Sequence, residues 1–254
     1  MLITTYGIVI RERNVGENDK FIDVLTNDLG VIELSAKGVK KITSKSFSSA
    51  QLFAYSKFCL NKKNDRYYIN SAEPVHIFYD IRLDVENFAL ASYFCDIILH
   101  TITSEQSANS VTRLFLNTLH FLEKGNHKRE LLKSVFELRL MSDIGMMPDI
   151  LACHSCLCYQ TPTMYFKIKK GTIFCENCYN RAGDAVAINS SILHAIRYIC
   201  LTDIEKLWSF KLSDKAQQTL SYITENYLLS HTERHFKTLD FYKELENTFN
   251  EQQS

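Results

Sequence analysis

Through residues 1–78 apolar and polar positions alternate with the period of two that a half-buried strand requires. Tyr6-Gly-Ile-Val-Ile-Arg11, Lys20-Phe-Ile-Asp-Val-Leu-Thr26 and Val31-Ile-Glu-Leu-Ser35 read as strands, with turns at Asn14-Val-Gly-Glu-Asn18 and Asn27-Asp-Leu-Gly30. Gln51 to Leu60 and Arg66 to Ser71 supply two more strands. About five short strands in so short a stretch predict a small β-barrel. An SH3-like barrel and an OB-fold both satisfy that strand count.

From residue 79 to 146 the period lengthens. Phe88, Leu90, Phe94, Ile97 and Ile98 recur at three-to-four spacing, as do Leu114, Leu119 and Leu122, then Leu131, Leu132, Val135, Phe136 and Leu138. These are amphipathic helices. Gly125 and Gly145 stand where two of them end, and Pro148 bars continuation of the last. Helical spacing returns over 189–246 with Ile192, Ile196, Ile199, Leu220, Ile223 and Tyr227. Asn189-Ser-Ser191 and Ser213-Asp214 carry the side chains that cap helix N-termini. The expected organisation is α+β and multidomain. A barrel spans 1–78, a helical domain is split between 79–149 and 184–254, and a small module is inserted at 150–183.

The insertion holds Cys153-x-x-Cys156 and Cys175-x-x-Cys178, with residues 157–174 between the pairs. Each Cys-x-x-Cys brings two thiolates together from one tight turn, and two such turns complete a tetrahedral shell. A closed four-thiolate shell leaves no position for water, so the Zn2+ it predicts is structural. A redox dithiol needs no second copy, and no thioredoxin-like βαβ pattern surrounds either pair. His154 and Cys158 are competing ligands by proximity. His154 is expected to point out of the first turn, and Cys158 to be a neighbouring free thiol. Thr163 to Phe174 alternates and turns like a small hairpin, the build of a zinc ribbon. Cys59, Cys95 and Cys200 sit singly in apolar surroundings as small hydrophobes, a usage that fits a reducing cytosol.

Charge changes the picture only locally. With 29 Lys and Arg against 29 Asp and Glu, the whole chain selects no polyanionic partner. From Leu34 to Asn64, however, there is no Asp or Glu, while Lys37, Lys40, Lys41, Lys45, Lys57, Lys62 and Lys63 all fall there. Lysines so concentrated on part of a barrel neutralise phosphates and release counterions. Ser44, Ser46, Ser48 and Ser49 add hydroxyls suited to phosphate oxygens. Phe47, Phe53, Tyr55 and Phe58 are interleaved candidates for stacking on bases, although core packing claims most aromatics of this kind.

Enzyme readings fail. Ala36 to Ser44 lacks the first glycine and the Gly-Lys-Ser/Thr ending of a nucleotide loop. His231-Thr-Glu-Arg-His235 has its glutamate at the wrong place for a zincin helix. No Gly-x-Ser-x-Gly elbow is present, and no nucleophile, base and orienting partner assemble. No signal-like segment opens the chain, and no apolar run approaches the ~20 residues a membrane span needs.

Gly7-Ile-Val-Ile-Arg11, Gly16-Glu-Asn-Asp19, the Thr26 to Gly30 turn, Ala36-Lys-Gly-Val-Lys-Lys41, Phe136-Glu-Leu-Arg-Leu140 and Gly145-Met-Met-Pro148 follow one another directly into the first cysteine pair. In that order the chain resembles the RecO family of bacterial recombination mediators, over essentially its whole length. The resemblance implies an N-terminal OB-fold, an α-helical domain and a zinc-ribbon-like insertion held by four cysteines. It implies a cytoplasmic, nucleoid-associated and non-enzymatic DNA repair protein. Such a protein binds single- and double-stranded DNA and anneals complementary strands without ATP. It works with RecR, contacts the C-terminal tail of the single-strand-binding protein, and indirectly helps load RecA. The resemblance places DNA contact at Lys37, Lys40 and Lys41, with Arg11 a lesser candidate; charge placement adds Lys45, Lys62 and Lys63. Two positions depart from the family pattern. Leu157 follows the second cysteine where Gly is common, and Gly171, after Lys170, stands where a Gly-Gly is common. A competing reading is an adaptor whose helices and ribbon dock other proteins, with the barrel purely structural.

Overall fold

Strand β1 (Leu2–Val15) pairs antiparallel with β2 (Asp19–Thr26) on one side and with β4 (Ala54–Lys63) on the other. Strand β3 (Gly30–Ala36) pairs antiparallel with β2 and β5 (Arg66–Ile77) antiparallel with β4, while β3 and β5 run parallel. The order β1-β2-β3-β5-β4 therefore closes on itself. This is the five-stranded OB-like arrangement, and closure through the β3–β5 pair decides between the two barrels that strand count leaves open. In this computed structural model the described residues are 1–41, 43–104, 107–180 and 185–253, with side chains described to 249.

The barrel interior follows from the alternation. Val9, Ile22, Val24, Ile32, Leu34, Phe58 and Leu60 form one buried cluster. A bulge between Val9 and Arg11 bends β1 so that it serves both neighbours. At Gly7 a Cβ would sit 2.6 Å from Val24 Cγ1 and 2.8 Å from the Leu25 carbonyl, so only glycine allows β1 this close to β2.

The chain forms two compact units. The first joins Met1–Lys124 to Phe236–Ser254. It contains the barrel with helices α1 (Val85–Thr101), α2 (Asn109–Lys124) and α6 (Lys237–Gln253). Asp84 caps α1 by accepting from the Asn87 N–H at 2.8 Å. Helix α6 returns to α1, where Phe236 meets Tyr93 edge-on and Thr238 donates to Asp96 at 3.0 Å.

The second unit is Gly125–His235. Helices α3 (Arg129–Asp143), α4 (Ser190–Leu201) and α5 (Asp214–Thr232) pack with a three-stranded sheet of order β7-β6-β8. Its strands are β6 (Thr163–Lys167), β7 (Thr172–Cys175) and β8 (Ala185–Asn189). The hairpin expected from alternation is β6–β7; β8 lies in a segment without a clear period and is a further strand. Asn189 and Ser213 cap α4 and α5 by accepting from Ile192 and Ala216 N–H groups. Among the described residues no helix is long and apolar enough to cross a membrane.

Candidate nucleic-acid interface and four-cysteine cluster

Strands β3 and β5 pair only at Leu34–Tyr67 and Ser35–Tyr68, so the barrel wall parts around this short contact. A groove of about 500 Å³ lies there, within the range of ligand-binding clefts. Alternation decides its lining. Ile32, Leu34 and Ala36 point inward, which turns Val31, Glu33, Ser35 and Lys37 outward into the groove. Phe21 comes from β2, Lys62 from β4, and Asp65, Arg66 and Tyr68 from the β4–β5 turn and β5. Lys37 Nζ lies 5.9 Å from the Tyr68 ring centre and Lys62 Nζ 5.2 Å from that of Tyr67. Lys37 therefore stands over the half-buried Tyr68 ring beside the cleft, a pairing that suits phosphate and base together, whereas Tyr67 under Lys62 is buried in the barrel core.

Two of the neighbouring carboxylates, Asp23 and Glu33, are paired with arginines, while Asp65 also lines the groove. Arg11 Nε lies 2.5 Å from Asp23, and Arg13 reaches both Asp23, at 3.3 Å, and Glu33, at 2.5 Å. The Glu33 bond outweighs burial and holds the Arg13 guanidinium above its ordinary value. Arg11 thus spends its charge on a buried aspartate.

Lys40, Lys41, Lys45 and Lys63 are not among the residues that line the groove. Lys40, Lys41 and Lys45 follow β3 on a loop anchored to the β1–β2 turn, where Gly38 N–H donates to Asp19 at 2.7 Å and Lys40 N–H to the Asn18 carbonyl at 3.0 Å. Lys63 adjoins the β4–β5 turn and is exposed. Core packing claims two of the four stacking candidates. On β4 the inward positions are Ala54, Ser56, Phe58 and Leu60, so Phe58 is core; Phe53, just before the strand, is also 0 % exposed. Tyr55 faces outward beside Tyr6, and Phe47 is exposed. The groove's own accessible rings are Phe21 and Tyr68, while Tyr67 is buried in the barrel core. Parity along β2 and β5 was the available signal for Phe21 and Tyr68, and charge beside the turn for Arg66. Ser49 is buried and removed from any phosphate.

In the second unit the sulfurs of Cys153, Cys156, Cys175 and Cys178 all lie within 4.8 Å of one another. Four sulfurs each ~2.3 Å from one ion stand roughly 3.8 Å apart; Cys156 and Cys175 are 3.6 Å apart. That is far beyond a sulfur–sulfur bond, and all four cysteines are free thiols. Burial pushes the Cys153 thiol up, but N–H groups of Cys156, Cys175 and Ser155 outweigh it and bring it down to about 6. Hydrogen bonds with the neighbouring Cys156 and Cys175 push the Cys178 thiol up to about 12. The donor set therefore fits a metal ion. His154 is exposed and faces Asp149 at 3.5 Å, and Cys158 turns to the Gln160 carbonyl; neither belongs to the cluster.

The backbone shows why glycine suits position 157 and why it is kept at 171, while Lys170 is not among the residues with positive φ. Leu157 takes φ +60° with its side chain 78 % exposed, so this turn favours glycine and leucine is accommodated under strain. Gly171 takes φ +61°, and a Cβ there would lie 2.9 Å from Tyr227. The first cysteine loop is held by Arg197 of α4, which periodicity did not single out. Its guanidinium donates to the carbonyls of Ile150, Leu151 and Tyr159 and lies 4.0 Å over the Tyr159 ring.

The Phe136-to-Pro148 stretch is structural. Lys133 Nζ lies 3.1 Å from Glu137 and 2.8 Å from Glu225, and Thr224 donates to Glu137 at 2.7 Å. Burial disfavours charge on Lys133, but the two carboxylates overcome it and raise its pKa. Arg139 donates to the Ile199 and Thr202 carbonyls at the C-terminus of α4.

Residues 1–78 match the family described as Recombination protein O N terminal, and residues 82–240 match Recombination protein O C terminal. The chain is 33% identical over 244 residues to the DNA repair protein RecO of Acetivibrio thermocellus, covering 96% of this chain and 97% of the relative. It is 30% identical over 246 residues to the DNA repair protein RecO of Alkaliphilus metalliredigens, covering 96% and 100%. With the DNA repair protein RecO of Dehalococcoides mccartyi it shares 31% identity over 214 residues, 82% of each chain.

Proposed function

The chain belongs to the RecO family, and from that premise we propose that it is a DNA-binding recombination mediator that acts without a catalytic centre. It binds single- and double-stranded DNA, anneals complementary strands without ATP, and works on the chromosome in the cytoplasm. With RecR it helps load RecA onto strands coated by the single-strand-binding protein, whose C-terminal tail it contacts.

The observation that carries this reading is the groove between β3 and β5, with Lys37, Lys62 and Arg66 beside Phe21 and Tyr68. Lysine and arginine screen phosphates while the rings offer faces to bases. Lys40, Lys41, Lys45 and Lys63 extend the positive field around it, and Arg11, paired with Asp23, contributes least. Two strands held against such a surface repel each other less, so pairing nucleates more often. Base pairing then supplies the free energy, and no nucleotide is consumed.

Cys153, Cys156, Cys175 and Cys178 hold Zn2+ in this reading. When bound, the ion supplies no chemistry beyond cross-linking; the thiolates fix the two loops, and Arg197 ties the first of them to α4.

The test is annealing of two complementary fluorescent oligonucleotides, without ATP, at low and at moderate salt. Acceleration that added salt suppresses is the expected result. No acceleration at either salt, in folded and metal-loaded protein, refutes the mediator reading and favours the adaptor.

A further inference from the structure

We propose that the outward face of the β7-β6-β8 sheet is a second single-stranded DNA site, where Tyr165, Phe174 and Tyr179 stack with bases and Lys167 and Lys170 meet phosphates. The inference rests on the DNA-handling function above and adds a site in the second compact unit.

The parity of β6 separates two faces. Met164, Phe166 and Ile168 are buried, and Phe166 packs edge-on against Tyr227 of α5 at 6.0 Å. Tyr165 and Lys167 therefore project from the opposite side, where Tyr165 pairs across the sheet with Phe174. The sheet's core is already filled from the first side, yet the second side is also aromatic. Tyr165 and Tyr179 are stacked, with centroids 4.1 Å apart and planes 16° from parallel. Lys167 Nζ lies 4.9 Å from the Phe174 ring centre and 5.9 Å from that of Tyr179, and His154 meets Phe174 edge-on at 5.7 Å. All three rings are half-buried.

Charge identifies the occupant. Lys167 projects from this face and Lys170 is exposed on the turn ending at Gly171, while Lys169 lies beside Ala185, Tyr222 and Asn226 on the α5 side; Glu176 is the one acidic residue in 163–180. An apolar peptide would gain nothing from Lys167 and Lys170. A folded acidic protein would not call for ring faces aligned with one another. A single strand offers both flat bases and phosphates, and stacking of this kind tolerates any base sequence. The placement of Tyr179 follows from the second cysteine loop, since its N–H donates to the Cys175 carbonyl at 3.0 Å.

The experiment uses full-length, metal-loaded protein and an oligothymidine carrying 5-bromodeoxyuridine. Photocross-links are mapped by mass spectrometry, and affinity is read by fluorescence anisotropy at low salt. Cross-links in peptides covering 163–180 are expected, with affinity roughly tenfold weaker for Tyr179→Ala and little changed for Tyr179→Phe, which keeps the ring. Lys167→Gln, at a surface position, checks the site where Tyr179→Ala disturbs the fold; it is expected to weaken binding several-fold at an unchanged melting temperature. A barrel variant, Lys37→Gln with Lys62→Gln and Arg66→Gln, separates the two sites. If only that variant loses affinity and no cross-link falls in 163–180, the ribbon site is wrong while the barrel reading stands. If cross-links fall in 163–180 and the barrel variant keeps full affinity, the ribbon site stands and the barrel reading falls.

Discussion

Replacing Lys37, Lys62 and Arg66 together with Gln removes three positive charges from the groove and keeps most of each side chain's stem beside the rings of Tyr67 and Tyr68. The melting temperature should therefore hold while DNA binding changes character. On single strands each phosphate neutralised contributes about 0.7 to the slope of log affinity against log salt. If each of the three side chains meets one phosphate, the slope becomes shallower by about 2. Between about 50 and 200 mM salt, a slope of 2 amounts to roughly a sixteenfold change in affinity. The wild-type advantage over the variant should shrink by about that factor across this range. Anisotropy titrations of a labelled oligothymidine at four or five salt concentrations read it directly. Lys57→Gln is the control: Lys57 is exposed on the β1–β4 side, 5.9 Å from the Tyr6 ring centre, and should leave the slope almost unchanged. Parallel salt lines for wild type and triple variant would mean that these charges meet no phosphate, and the groove assignment would fall with them.

Removal of the metal with a strong chelator should lower the melting transition of the Gly125–His235 unit, followed by tryptophan fluorescence of Trp208, and added Zn2+ should restore it; a transition indifferent to both would mean that the cysteines hold no ion. Leu157→Gly should stabilise the metal-loaded protein by roughly 0.5–1 kcal/mol, because glycine relieves the left-handed backbone while an exposed leucine is lost; urea melts check it, and destabilisation would contradict the strain argument. Lys133→Met leaves Glu137 and Glu225 buried together without their cation and should cost about 3–5 kcal/mol. Adding Glu137→Gln and Glu225→Gln should recover part of that loss in the same thermal melt. Gly171→Ala combines φ +61° with a Cβ 2.9 Å from Tyr227 and should destabilise by more than 1 kcal/mol, roughly what a strained backbone position alone costs; a melting temperature within a degree of wild type would count against it.

Local rules reached far along this chain. Alternation located the five barrel strands, three-to-four spacing located the helices, and Asn189, Ser213, Gly125 and Gly145 marked helix ends because caps and left-handed turns are decided within a few residues. The two Cys-x-x-Cys turns announced their cluster for the same reason: each turn brings its own two sulfurs together. Only tertiary structure decided the rest. Closure of β3 on β5 selected the OB-like barrel, and it depends on two residue pairs distant in sequence. The same closure gathered Phe21, Lys37, Lys62, Arg66 and Tyr68 from four strands and their turns into one groove, a convergence that no window of sequence contains. Phe53 and Phe58 looked like their neighbours in composition, and inward orientation alone made them core. Arg197 and Lys133 read locally as ordinary charged helix positions. Their roles arise because carbonyls of a distant loop and carboxylates of α3 and α5 would otherwise be buried unpaired, and the desolvation cost of such groups is set by packing.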